Sequence, residues 1–511
     1  MEAATLRPGA PAAALRRLRE VAAARSRAFW VVAGLTALAA ALRFATLGAQ
    51  SYHHDEIVTA SRVLRSGLGH AMDAVGFSES APPLYYALAW LWTQVTGTGE
   101  VGLRSLSALA GTATVPVAYL LGAELRGRRA GLLAAALVAV NPMLLWYAQE
   151  ARAYALVVLL GAVSLLYCAR LLRGGRRADA VGWGVASGLA LATHYFALFP
   201  VAAEACALLW RRRRESRVGM AIVAAFGLAL APLALRQMSY GHAEWISNTG
   251  LGHRVWETAA TFVTGETADI IGRPGRPLLA VVPLALLLTG LALLPLRGAA
   301  AERRAATLPL AVAAATLALP LALALVGGKD YVLARNLIPA LVPLLVAVAI
   351  GLAAPAARRV GSVLTGALLA YSLAFCVAAS FVPSLQRPDW DAVAERIGEP
   401  RGPRATVTWT LGLAPLRYYL STGAIQVRAV ERYAWLVREV QFISMGPAPP
   451  PPRRLLGPGF REVAREAVGP LHVRRYRTTG PGLRRLRLRR VPRADLNWRT
   501  NATLLDGIGV P

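Results

Sequence analysis

The sequence predicts an α-helical, multi-pass membrane protein that ends in a small α/β domain. Three observations carry this reading. Of 511 residues 56% are hydrophobic, and the mean hydropathy is +0.45, a composition suited to a bilayer. Arginines fall in short clusters between apolar runs of membrane-spanning length. From Pro383 onward those runs give way to short segments with strand character.

The clusters are Arg16, Arg17, Arg19, Arg25 and Arg27; Arg126, Arg128 and Arg129; Arg173, Arg176 and Arg177; Arg211 to Arg214; Arg303 and Arg304; and Arg358 and Arg359. Basic loops are retained in the cytoplasm, so these clusters pin the topology. They also disperse the formal charge of +28 through the loops, which argues against a nucleic-acid partner. The basic stretch after Arg474 reads as a solvated tail. Cys168, Cys206 and Cys376 lie in apolar runs, and no disulfide framework or zinc set can be read from them.

Residues 1–27 form a basic cytoplasmic N-terminus, and 28–48 are the first crossing. That run is membrane-length and has no clear small-residue cleavage site, so it reads as retained. Residues 49–102 form the first outer loop. Within it, 83–96 is about half the length a span needs and carries Tyr85, Tyr86, Trp90 and Trp92, which predicts an interfacial helix. Spans 103–123, 130–147 and 153–172 follow. Two short helices, 181–195 and 196–210, form a hairpin with Thr193-His194-Tyr195-Phe196 at its tip. A span at 218–235, a polar outer loop at 236–277 and spans at 278–296, 306–326, 337–354 and 360–382 complete a membrane domain over 28–382. The total is about eleven crossings, which places the rest of the chain outside. There, 405–410, 424–430 and 471–477 read as strands and 413–421 as a helix, in a domain over 383–478 that contains a proline-rich loop and precedes a basic tail, 479–511.

The chain has no Walker sequence and no glycine-rich dinucleotide fingerprint, so ATP or a nucleotide-sugar donor is not expected. Its unusual polar residues gather at the outer face: Asp55, Glu56, Glu79, Gln149, Glu150, Arg152, His194, Tyr195, Lys329 and Arg335. This mixture suits a reaction between a charged lipid head group and a hydroxyl. A carboxylate takes the acceptor's proton, while Arg and Lys hold a phosphate leaving group. A phosphate departs as a stabilised anion, so the second carboxyl acid of glycoside hydrolysis is not needed. A single in-line displacement would invert the anomeric centre.

Plainer readings stand beside these. Asp55 is also suited to cap a helix over Ile57 to Leu64. Glu56 is open to three roles: metal ligand, support for Asp55 or solvated neighbour. A divalent ion held by Asp55, Glu56 and His54, with His53 adjacent, stays open as the one cofactor. Gln149, Glu150 and Arg152 would also serve as local loop charges, and His194 as a satisfied hairpin residue. Lys329, the only lysine in the chain, sits beside Asp330 as in a simple ion pair. Arg335 opens the tenth span. Trp245 and Trp256 read as interfacial anchors.

Together and in order, these stretches resemble glycosyltransferase family 39, which has the GT-C membrane fold and includes the protein O-mannosyltransferases and the lipid A aminoarabinose transferases. Asp55-Glu56 is similar to the family's first-loop acidic motif, and Pro82-Pro83-Leu84-Tyr85-Tyr86 to its interfacial helix. Tyr147-Ala148-Gln149-Glu150-Ala151-Arg152-Ala153-Tyr154 is similar to its second outer-loop motif, and Thr193-His194-Tyr195-Phe196 to its hairpin tip. Arg335-Asn336-Leu337-Ile338-Pro339 and Arg387-Pro388-Asp389-Trp390 resemble late elements of bacterial members. Ala153 and Asn336 stand where proline and tyrosine are common, and Glu150 where some relatives carry aspartate.

The resemblance implies sugar transfer from a polyprenyl-phosphate donor, at the outer face of the plasma membrane, to an extracytoplasmic glycan, lipid or protein hydroxyl. It implies Asp55 as base, with Glu56 beside it, and Arg152, Arg335 and Lys329 on the donor phosphate. Gln149, Glu150, His194, Tyr195 and Tyr85 would line the pocket, and mannose or a pentose would be the sugar. A transporter or flippase for lipid-linked sugars is the alternative, and it should place polar residues at mid-bilayer.

Overall fold

A computed structural model describes residues 10–64, 67–241, 244–266, 278–327, 330–400, 402–420, 425–427, 435–445, 456, 459–486 and 501–506. Lys329, the proline-rich loop at 447–452 and part of the strand expected at 424–430 lie outside the described residues.

Among the described residues, eight helices are long and apolar enough to cross a membrane: Ser26–Phe44, Glu100–Arg126, Tyr154–Leu172, Arg217–Ser239, Leu278–Arg297, Ala300–Leu325, Ala334–Ala353 and Pro355–Phe381. The protein is a multi-pass membrane protein. The run expected as one span at 130–147 is instead a bent pair, Arg128–Ala139 and Pro142–Ala148, which meet at 57° and make a ninth if counted as one span. Pro142 causes the break, because it has no N–H for the preceding turn. The expected eleven included both hairpin arms; these are helices Arg177–Thr193 and Leu198–Arg211, too short to join the eight. The first span ends at Phe44, four residues before the expected boundary.

The chain divides into two units, the first comprising Met1–Ala45, Val75–Tyr85 and Ser105–Cys376, the second Thr46–Ala74, Tyr86–Arg104 and Val377–Pro511. Most of the first outer loop therefore falls in the same unit as the C-terminal segment.

In the first unit helix Ala334–Ala353 is the most enclosed of these spans, while Arg217–Ser239 has the fewest buried residues. Close helix contacts are made at glycines. A Cβ on Gly184 would lie 2.8 Å from Gly219, and one on Gly351 would lie 2.4 Å from the Gly290 carbonyl. Small residues let helices approach where no hydrophobic force drives them together. The stretch expected as loop 236–277 contains a helix, Leu251–Thr264, bounded by Gly250 and by Gly265 at φ +67°. Its buried Arg254 and threonines gave it a polar look, yet Ala260, Phe262 and Val263 pack inward.

The second unit holds a six-stranded sheet and a two-stranded one. The strands are β1 Arg404–Trp409, β2 Ile425–Val427, β3 Trp435–Val437, β4 Glu439–Met445, β5 Phe460–Val468, β6 Leu471–Thr478, β7 Arg484–Leu486 and β8 Asn501–Asp506. The large sheet runs β2-β8-β1-β4-β6-β5, and β3 pairs with β7. Among the described residues only β1 and β4 run parallel, with Ala405 opposite Val440. Helices Trp390–Ile397 and Thr410–Leu420 supply Trp390, Val393, Leu413 and Leu416 to a core shared with Ile443, Leu471 and Val473. The tail expected after residue 478 is overturned in part. Its residues form β7, and β8 inserts between β1 and β2. That pairing joins residues about a hundred positions apart, a range no local pattern reports.

Candidate functional site

In the second unit the acidic pair sits at the start of helix His54–Val58, which continues as a π turn over Thr59–Val63. His53 occupies the cap position, so Asp55 is not the N-cap. Glu56 fills the capping role instead, accepting the His53 N–H at 3.0 Å. Arg104 then takes both Glu56 oxygens, Nε to Oε1 at 2.8 Å and Nη2 to Oε2 at 2.7 Å. Its other bonds reach the carbonyls of Leu47, Gln50 and Ser51 at 2.8, 2.7 and 2.9 Å. Arg387 adds a second cation 3.4 Å from Oε2. Glu56 is wholly buried, and Arg104 is 2% exposed.

This geometry fits Glu56 as a fixed counter-ion, not an available base. A buried pair with every donor satisfied holds its surroundings rigidly, and losing one partner is expensive. Asp55 is half-buried in the first helical turn, where the helix's positive end favours an anion. The Arg387-Pro388-Asp389-Trp390 motif clamps the same loop. The Trp390 N–H donates to Ser51 Oγ at 2.8 Å, and Ser51 Oγ donates to the Pro388 carbonyl at 3.2 Å. Tyr419 accepts the Tyr52 N–H at 2.6 Å and donates to Glu100 at 2.7 Å. The Nδ1 of His54 lies 3.0 Å from the Leu411 carbonyl. Among the described residues no three His, Cys, Asp or Glu side chains group as metal ligands.

The first unit gathers the basic half of the expected set. Arg152 pairs with Glu79 at 2.8 Å, and its carbonyl accepts from Ser107 Oγ at 3.3 Å. Ser107 lies 3.0 Å from the buried Tyr85 hydroxyl, so Tyr85 supports the Arg152 backbone. His194, between the hairpin arms, is buried, and its Nδ1 accepts the Phe196 N–H at 3.3 Å. Burial, then the charges of Arg152 and Arg335, push His194 down to about 3, so it stays neutral. Its ring lies 5.6 Å from that of Tyr154, and Tyr154 lies 4.7 Å from Tyr147. Tyr147 bonds Glu266 and stands within electrostatic range of Glu150 and Arg335. Arg335 lies over the Trp245 ring at 5.7 Å, so Trp245 is more than an interfacial anchor.

Arg152, Arg335, His194 and Glu150 therefore share one neighbourhood. Two expected pocket residues also hold backbone or amide partners. Tyr195 donates to Gln237 at 2.8 Å, and Gln237 in turn donates to the carbonyls of Val75 and Ala81. Gln149 donates to the carbonyls of Leu42 and Arg43. Asp330, expected to pair with Lys329, bonds Arg254, whose hydrogen bond holds that carboxyl below the usual range.

Sequence reasoning missed Arg104, Arg43, Arg254 and Glu266. Arg43 and Arg104 carried a signal, being single cations at the ends of apolar helices, where a charge implies a partner. Glu266 carried none.

Over residues 80–235 the chain matches the family model of dolichyl-phosphate-mannose-protein mannosyltransferases, a stretch that holds Tyr85, Arg152 and His194. The structure of ArnT from Cupriavidus metallidurans bound to undecaprenyl phosphate aligns with a TM-score of 0.51 at 13% identity, over 87% of this chain and 98% of that one. The chain has a membrane fold of the GT-C type. The match to the mannosyltransferase model covers under a third of its length. The Archaeoglobus fulgidus oligosaccharyltransferase complexed with Zn and sulfate aligns at 15% identity and a TM-score of 0.47, over 72% of this chain and 55% of that one. A comparison with curated sequences gives no match.

Proposed function

We propose that this chain is a glycosyltransferase that moves a sugar from a polyprenyl-phosphate donor onto an extracytoplasmic hydroxyl of a glycan, lipid or protein, inverting the anomeric centre. The observation that carries this reading is the placement of Arg152 and Arg335 around a neutral, buried His194. Two guanidiniums beside an uncharged imidazole suit a phosphate that gains charge as it leaves. The undecaprenyl phosphate bound by ArnT supports the same donor class.

Asp55 takes the acceptor's proton as the hydroxyl oxygen bonds to the anomeric carbon. The bond from that carbon to the phosphate oxygen breaks, and the polyprenyl phosphate leaves as an anion. Arg152 and Arg335, with Lys329 as a third cation, receive it. Glu56 holds the Asp55 loop in place through Arg104. With the arginine clusters in the cytoplasm, the N-terminus is inside and the C-terminal domain outside.

The test uses purified protein in lipid nanodiscs with polyprenyl-phosphate mannose or a polyprenyl-phosphate pentose. Wild type should release polyprenyl phosphate and glycosylate an acceptor, while Asp55→Asn should lose roughly 10²- to 10⁴-fold in turnover. Full turnover in a folded Asp55→Asn protein would remove Asp55 as base. Donor translocation without transfer by wild type would overturn the reading in favour of transport.

A further inference from the structure

The break before Pro142 leaves three carbonyls without helical partners, and each is answered by a side chain from another helix. Arg43 Nη2 donates to the Val138 carbonyl at 3.3 Å and Nη1 to that of Ala139 at 3.0 Å. Cys376 Sγ donates to the Val140 carbonyl at 3.2 Å. The following helix, Pro142–Ala148, starts on Asn141, whose Oδ1 accepts the Leu144 N–H at 3.0 Å. Its far end is tied to the same place, since Gln149 donates to the Arg43 carbonyl at 3.1 Å and the Leu42 carbonyl at 3.3 Å.

Arg43 is wholly buried, yet among the described residues its guanidinium bonds only carbonyls, and its Nε has no hydrogen-bond partner. A cation buried in a membrane protein without a carboxylate is costly and marks a task. Space is kept for it: a Cβ on Gly111 would stand 3.1 Å from Arg43 Nε and 2.6 Å from the Ala148 side chain. One residue thus meets the start of the short helix, and its backbone meets the end.

We propose that Arg43 is a positioning residue: it pins the broken span at both ends, and so sets where the turn Gln149 to Arg152 presents its guanidinium. The inference rests on the reading that Arg152 receives the donor phosphate. Hydrogen exchange is read on wild type, Arg43→Lys and Arg43→Met in nanodiscs, alongside binding of undecaprenyl phosphate and the melting temperature. Exchange should rise in Arg43→Met over residues 140–153 and not over 154–172, with undecaprenyl phosphate bound at least about tenfold more weakly. Arg43→Lys, which keeps donors for one or two carbonyls, should recover part of both. Unchanged exchange at 140–153 in folded Arg43→Met would overturn the proposal, as would a rise spread evenly through the first unit. Wild type that binds no undecaprenyl phosphate would sink the donor reading instead, and the local exchange pattern would still decide whether Arg43 holds the turn.

Discussion

Arg104 and Glu56 meet side by side, with two parallel N–H bonds of 2.8 and 2.7 Å, both partners buried. That relationship divides the labour of the acidic pair. Glu56 has its oxygens committed to Arg104, to Arg387 and to the His53 N–H. Asp55, on the same turn, is half-buried. Two neighbouring carboxylates of one motif thus have different chemistry available to them.

Glu56→Gln should therefore act on folding. Removing one partner of a buried pair costs about 3–5 kcal/mol, because the remaining charge is stranded. Arg104→Met should cost a similar amount. Thermal unfolding in detergent measures both. A Glu56→Gln protein as stable as wild type would dismiss the counter-ion role.

Arg152→Lys keeps the charge but loses the planar fork that meets Glu79 and matches a phosphate. We expect KM for the lipid-phosphate donor to rise roughly tenfold, about 1.4 kcal/mol, with a smaller change in kcat. Steady-state kinetics with a varied donor concentration test this. An unchanged KM would take Arg152 off the phosphate.

Acid should destabilise the protein, and His194 gives the first window. Its folded pKa is depressed from 6.5 to about 3, so below 6.5 the unfolded chain binds a proton that the folded chain refuses. The stability this contributes is complete above 6.5 and is lost as pH falls toward 3. Between pH 7 and 5 the loss is about 2 kcal/mol. Asp330, held low by Arg254, adds its own loss only below its ordinary 3.8. Unfolding at pH 7 and pH 5 should show a smaller drop in His194→Asn than in wild type. An equal drop would mean that His194 is not the group responsible.

Arg254→Met should loosen the segment that carries Arg335. Arg254 bonds Asp330 and the carbonyls of Thr249 and Val332, each of the latter at 2.8 Å. Stranding such buried groups costs about 1–3 kcal/mol apiece. Amide exchange over 330–340 should accelerate in the variant and stay slow over 154–172. Equal rates in variant and wild type over 330–340 would show that Arg254 does not hold it.

Much of the fold was legible in the chain. Long apolar runs punctuated by arginines located the spans to within a few residues, because a bilayer imposes a length and a polarity that local composition must meet. The break at Pro142 was written in one residue, yet it was overlooked because the run around it is continuously apolar. Helix Leu251–Thr264 was hidden for the opposite reason, its polar residues being buried and paired.

The sequence by itself determined that this is a multi-pass membrane protein with motifs that resemble those of the GT-C family, and it singled out Asp55, Arg152, His194 and Arg335 as candidates. Tertiary structure alone decided their surroundings: that Glu56 is locked by Arg104, that Tyr195 and Gln149 hold amide and carbonyl partners, and that a late strand completes the sheet. The physical reason is range. Hydrophobic length is a property of neighbouring residues, whereas an ion pair between residues 56 and 104 or a strand pairing between 406 and 504 exists only once the chain has folded back on itself.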